Sequence, residues 1–456
     1  MYNSVIRSLT RLMLVLGLMT ITFALASPAH AQDDEAQTMH DWLAATANQG
    51  TIKPGTAITM QNWQQYKQFM PPGMIDLFQG KYFWKMPADV KMNVRETKVY
   101  PLPKNYQAAS EQFGSQTRVV HLPNGHMDIA GYVAGQPFPN PQKPDKGYKI
   151  LANVWYSYLP HLYVNAPQNM ASSCTQDRFG NISCTKLVLV YRQLSYNTDP
   201  GIPRHDPRAN DVWYSEWLMI EQPEQSKYTS NLIIFHENNQ LPQDSYVFVP
   251  ALRRSLRLAV SARCAPVVGS DFVQDDYKTT GFNGGLAIFD AKYLGSRKIL
   301  SIGNDYANIT GKFPDNWYMP LGWPKPSWGP FELRNVDIID VRRIPSEAPG
   351  YCYGSRIMYV DQAFDYGIWQ ELYDSNMKLW KIFGGGGAHV VDVPGVGRVV
   401  TNSVSTAAWD IQNDHASYFS SMNEQGHDAT FNEQAPQEYH DYTKYSTPAG
   451  LMQIMR

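Results

Sequence analysis

Three carboxylates stand close together in the run Gly269-Ser270-Asp271-Phe272-Val273-Gln274-Asp275-Asp276. Acids at this spacing can hold Ca²⁺ or move protons, and Asp275 and Asp276 with a histidine such as His236 would make a hydrolase or lyase. The stretch before them offers a quieter role. Residues 251–263 contain Arg253, Arg254, Arg257 and Arg263, so each acid has guanidinium partners at hand. Strand alternation there puts Arg253 and Arg257 on one face and Arg254, Leu256 and Leu258 on the other; the same arginines could instead grip an anionic head group in bidentate fashion.

Other chemistry finds little support. There is no GxSxG elbow, and Gly384-Gly385-Gly386-Gly387 and Gly395-Val396-Gly397 lack the residues of a P-loop or dinucleotide fingerprint. We read both glycine runs as turns or points of close backbone approach. His121, His126, His205, His236 and His415 are scattered rather than clustered, so neither a metal nor a cofactor is expected. Cys174, Cys184, Cys264 and Cys352 are even in number, and the favoured pairing is Cys174 with Cys184 across a Gly180-Asn181 turn and Cys264 with Cys352. With Lys+Arg 39 against Asp+Glu 41, nucleic acid is an unsuitable partner.

The elements that must position these residues are mostly strands. Lys186–Arg192, Val212–Ile220, Tyr228–Glu237, Leu333–Ile344, Arg356–Asp361, Ile368–Tyr373 and Leu379–Phe383 are β-branched or aromatic and bounded by polar turns. They predict a β-rich α+β fold: a large curved antiparallel sheet or half-open β-barrel, with short helices covering its concave side. Arg7 and Arg11, the apolar run Leu12–Ala26 and Ala29-His30-Ala31 read as a secretory signal peptide over residues 1–31, cleaved after Ala31. The expected plan continues with a helical lid over 32–120, the β domain over 121–400 and a polar, partly mobile extension over 401–456, with 32–456 one structural unit. Aromatic residues make up 13% of the chain, more than one core needs, which favours an aromatic-lined cavity. Trp213, Trp217, Tyr228, Arg253, Arg257, Tyr359 and Trp369 are the candidate ligand-binding residues; no catalytic residue is assigned.

Five ordered blocks carry a family resemblance: NWQQYKQFMPPGMIDLFQGKYFWKMP (Asn62–Pro87), YVFVPALRRSLRL (Tyr246–Leu258), GSDFVQDDYKTTGFNGGLAIFDAKYL (Gly269–Leu294), PGYCYGSRIMYVD (Pro349–Asp361) and WDIQNDHASYF (Trp409–Phe419). With them the chain resembles the periplasmic domain-of-unknown-function family 1329 of Gram-negative bacteria. More distantly, Arg356–Asp361, Trp369–Asp374 and Leu379–Lys381 resemble strand pairs of outer-membrane lipoprotein-sorting proteins. The resemblance implies a half-open antiparallel barrel around a lipid-sized apolar cavity. It also implies a periplasmic carrier of a lipid, acyl chain or sterol-like ligand, working with a resistance–nodulation–division-type inner-membrane transporter and an outer-membrane protein. A scaffold of an envelope transport complex is the alternative that involves no ligand, and the hydrolase or lyase the one that involves turnover.

Overall fold

The computed structural model describes residues 38–259, 263–276, 278, 281–303, 309–384, 386–401 and 405–453; the signal peptide and cleavage site expected from the sequence lie outside them. The strands are β1 (Ala57–Thr59), β2 (Lys91–Asn93), β3 (Arg118–His121), β4 (Met127–Ala130), β5 (Leu162–Asn165), β6 (Ala171–Asp177) and β7 (Ile182–Gln193). There follow β8 (Val212–Gln222), β9 (Ser230–His236), β10 (Asp244–Val249), β11 (Arg254–Arg257), β12 (Phe289–Ile302), β13 (Phe331–Arg343) and β14 (Ser355–Asp361). The last are β15 (Gly367–Tyr373), β16 (Leu379–Gly384), β17 (His389–Val393), β18 (Gly397–Thr401), β19 (Ser405–Asp410), β20 (His415–Ser420) and β21 (Thr430–Phe431). Fifteen of these form one sheet whose main path runs β11-β10-β9-β8-β7-β6-β20-β19-β16-β15-β14-β13-β12, with β5 paired to β7 and β21 paired to β5. Every pairing in it is antiparallel, and β11 and β12 remain edges, so the sheet is not closed into a barrel.

The sheet wraps around a helix, Lys146–Trp155. Leu187, Leu189, Tyr214, Ile233 and Phe235 from β7 to β9 share an apolar cluster with Ile339, Val341, Met358 and Val360 of β13 and β14, and the helix fills the space between. Trp155 at its end lies 4.8 Å from the Trp213 ring and 5.6 Å from Phe235. Gly147 lets it sit down on β12, because a Cβ there would come within 2.1 Å of the Ala291 carbonyl oxygen. The inner face is thus covered by a helix, as expected, but by one that the strand periodicity did not show.

The outer face carries two further layers. Residues from Met39 to Tyr100, including the helix Pro72–Gln79, pack on β12–β16, β19 and β20 together with Trp317, Trp323 and Trp328. This corrects the expected lid over 32–120: most of it lies outside the curve, while the helix Lys104–Phe113 reaches the inner cluster through Tyr106. The 401–456 boundary also shifts. β19 and β20 are central strands, joining β16 to β6, and residues 435–451 pack under β5 and β7–β10. The two disulfides are Cys174–Cys184, between directly opposed residues of β6 and β7, and Cys264–Cys352, which joins the loop after β11 to the approach to β14. No helix among the described residues is long and apolar enough to cross a membrane.

Candidate functional site: an aromatic cavity on the inner face

Strand alternation sends Tyr191 of β7 inward with Leu187 and Leu189, and pairs it with Tyr163 of β5; the two rings stack 5.2 Å apart. Phe383 of β16 faces the same way and meets Phe272 from the loop after β11 at 5.3 Å. These four rings, with Tyr366, Ile368 and Phe419, line a cavity of about 910 Å³, counting its part open to solvent. Its polar lining is Asp276, Lys278, Gln370 and Thr406, and the rest is backbone at Gly281, Gly367, Gly384, Gly386 and Gly387. An apolar wall with a few fixed polar groups is the usual build of a small-molecule pocket. The glycine run is part of that wall: a Cβ on Gly384 would fall 2.3 Å from the Trp369 ring.

The acids that the sequence singles out stand beside the cavity as ion pairs. Asp276 accepts from Arg356 at 2.5 Å, from the Tyr353 hydroxyl at 2.9 Å and from the Val273 N–H at 2.9 Å. Arg356 also donates to Gln370 Oε1 at 2.8 Å, tying the pair into β15. Asp275 is bound by Arg263, lies 3.6 Å from Arg343, and accepts from the Tyr351 hydroxyl at 2.6 Å. Asp271 accepts from Ser417 Oγ at 2.7 Å and faces His415 Nδ1 at 2.8 Å; its hydrogen bond with His415 raises the His415 pKa. His236 is 3.4 Å from Asp244 instead. The arrangement is a clamp holding the loop after β11 on the inner face, with no carboxylate of the Asp275–Asp276 pair left without partners.

Two other buried groups lie on this side. Lys278 is 2% exposed, donates to the Trp155 carbonyl, and sits 4.5 Å from the Trp155 ring and 4.6 Å from the Trp213 ring. Burial pushes its ammonium well below the usual lysine range, and burial pushes Glu216 up to about 7.

Of the seven candidate binding residues, none lines the cavity directly. Trp213 stands behind Lys278, and Trp369 backs Gly384. Trp217 lies on the outer face against Tyr445, at 5.0 Å. Tyr359 is outside too, edge-on to Trp42 at 6.1 Å. Tyr228 and Arg257 are exposed, the latter paired with Asp244. Arg253 occupies the β10–β11 turn with φ +48°, so the strand alternation read for residues 251–263 holds only over Arg254–Arg257. Tyr163, Tyr191, Phe383 and Phe419 escaped the sequence reading, because alternation marks two faces of a strand without saying which is inside.

An uncharacterized protein of Pseudomonas aeruginosa is 22% identical over 339 residues, covering 72% of this chain and 68% of that protein. Among solved structures, a putative outer membrane lipoprotein-sorting protein domain from Vibrio parahaemolyticus aligns with TM-score 0.44 and 12% identity, over 65% of this chain and 96% of that one. A family-1329 protein from Desulfovibrio piger gives TM-score 0.44 and 11% identity over 67% and 100%. A LolA superfamily protein from Nitrosomonas europaea gives 0.34 and 10% over 62% and 90%. The family described as "Protein of unknown function (DUF1329)" matches residues 57–451, the span that holds the sheet, most of its covering layers and every residue of the cavity, and the chain belongs to that family.

Proposed function

We propose that the protein is a periplasmic carrier that shields an apolar ligand, such as a lipid or acyl chain, in the inner cavity and hands it on without chemical change. The observation that carries this reading is the aromatic cavity itself, lined by strands of the sheet and by the clamped loop. Each CH₂ removed from water in such a site is worth roughly 0.8 kcal/mol, enough to hold a chain without a covalent bond. The two disulfides suit an oxidising compartment, and the sequence resemblance points the same way. An inner-membrane transporter of the resistance–nodulation–division type and an outer-membrane protein are the proposed giver and receiver. The burial of Asp275 and Asp276, each in an ion pair with an arginine, favours this reading over the hydrolase or lyase.

The test is gentle purification from periplasm, organic extraction and mass spectrometry, followed by uptake of a fluorescent fatty-acid probe. Thr406, on the cavity wall, serves as the control. Thr406→Trp fills the space and is expected to lower probe affinity about tenfold or more, equivalent to the loss of two buried methylenes. An empty protein that refuses apolar probes, or a Thr406→Trp variant that binds as well as the parent, would refute the carrier.

A further inference from the structure

We propose that the ligand is a single-chain amphiphile with an anionic head, the head resting on Lys278 and the tail on the Tyr163, Tyr191 and Phe383 rings. This rests on the carrier reading and names its ligand class. Lys278 is the cation of the cavity lining among the described residues, and it is 2% exposed. An ammonium has three donors, and among the described residues this one makes a single hydrogen bond, to the Trp155 carbonyl, with ring faces on two sides. Its carboxylate neighbour Glu216 acts on it through space, with no ion pair between them among the described residues. Asp276, the acid of the lining, is already held by Arg356 and Tyr353.

A buried charge with so little compensation is costly unless a counter-ion arrives. Burial depresses the basicity of Lys278, and the Glu216 charge opposes that shift. A carboxylate or phosphate head would fill the gap with a charge-assisted hydrogen bond in a water-poor site. The apolar part of the lining, with the Tyr163, Tyr191 and Phe383 rings in it, is the surface that would take the tail.

The experiment uses delipidated protein and displacement of a fluorescent probe by palmitic acid, hexadecanol and a single-chain lysophosphatidic acid. At least one of the two acids should outcompete hexadecanol by about tenfold or more, as a hydrogen bond to a charged group implies. Preference for the carboxylate or for the phosphate identifies the head. Lys278→Met should erase the preference, so that on this variant the acids bind no more tightly than hexadecanol measured on the same protein. That variant is expected to fold, since replacing a poorly compensated buried charge by an apolar side chain of similar length is neutral or stabilising. Lys278→Gln provides a second reading of the same loss. Hexadecanol binding as tightly as the acids, or an acid preference that survives in both variants, would overturn the inference while leaving the carrier standing. Binding of none of the three would remove the carrier reading itself.

Discussion

Asp276 and Arg356 show how far residue chemistry can be judged from sequence and where it stops. That acids near Gly269 meet arginines is legible from the composition of residues 251–276, and Arg263 does bind Asp275. The partner of Asp276 is not: Arg356 lies 80 positions away and reaches it only because β14 passes under the loop. Both groups are buried, so Asp276→Ala leaves a guanidinium uncompensated and should cost about 3–5 kcal/mol of stability. Urea unfolding measures this directly. A variant with unchanged stability would return Asp276 to the list of functional acids. The cavity rings were hidden for a different reason. Trp217 and Tyr191 are equally good strand aromatics, and only the wrapping of the sheet puts one under the C-terminal segment and the other in the cavity.

Among elements, the long uniform strands were readable, and two of those that were not show why. The helix Lys146–Trp155 is buried nearly all round, so it has no polar stripe to mark a helical period. β12 carries Lys292, Arg297 and Lys298 and a bulge between Tyr293 and Gly295, which break the apolar alternation. One of the fastenings of the outer layer is a buried acid. Glu371 of β15 accepts from the Gly73 N–H at 2.7 Å, where the helix Pro72–Gln79 begins, and from Trp369 Nε1 at 3.2 Å. Burial pushes Glu371 up to about 7 from 4.5. Its folded pKa is thus the higher one, so the stability it provides is complete below about 4.5 and is lost as pH rises through about 7. Glu371→Gln keeps an acceptor for Gly73 and cannot ionise. Thermal unfolding should show the two proteins alike near pH 4.5, and the variant ahead above pH 7 by on the order of 2–3 kcal/mol. A constant offset across that range would assign Glu371 a role independent of its charge.

At the scale of the molecule, the sheet has apolar residues on both faces and must be covered twice. The N-terminal layer covers one half of the outer face, and the other half is left to the C-terminal segment. Its composition is polar, which is why it reads as an extension, yet Ala435, Tyr439, Tyr445 and Leu451 are buried against Val188, Val190, Trp217, Leu232 and Ile234. Arg192 donates to the Tyr439 carbonyl at 2.7 Å, and Ser215 and Ser446 hydroxyls meet at 3.0 Å, so the contact is specific as well as apolar. A chain ending at Gln434 would expose this face. Each fully buried side chain of this kind is worth about 1.5–3 kcal/mol, and the whole margin of a folded domain is about 5–15 kcal/mol. We expect the shortened protein to aggregate, or to lose near-ultraviolet circular dichroism and elute early in size exclusion. Trp217→Ala in the full-length protein, which removes one ring beneath Tyr445, should destabilise by about 3–5 kcal/mol without aggregation. A shortened chain that stays monomeric with an unchanged melting temperature would show the segment to be a loosely held tail after all. The sheet would then have to tolerate an open apolar face, which monomeric proteins seldom do except where something binds.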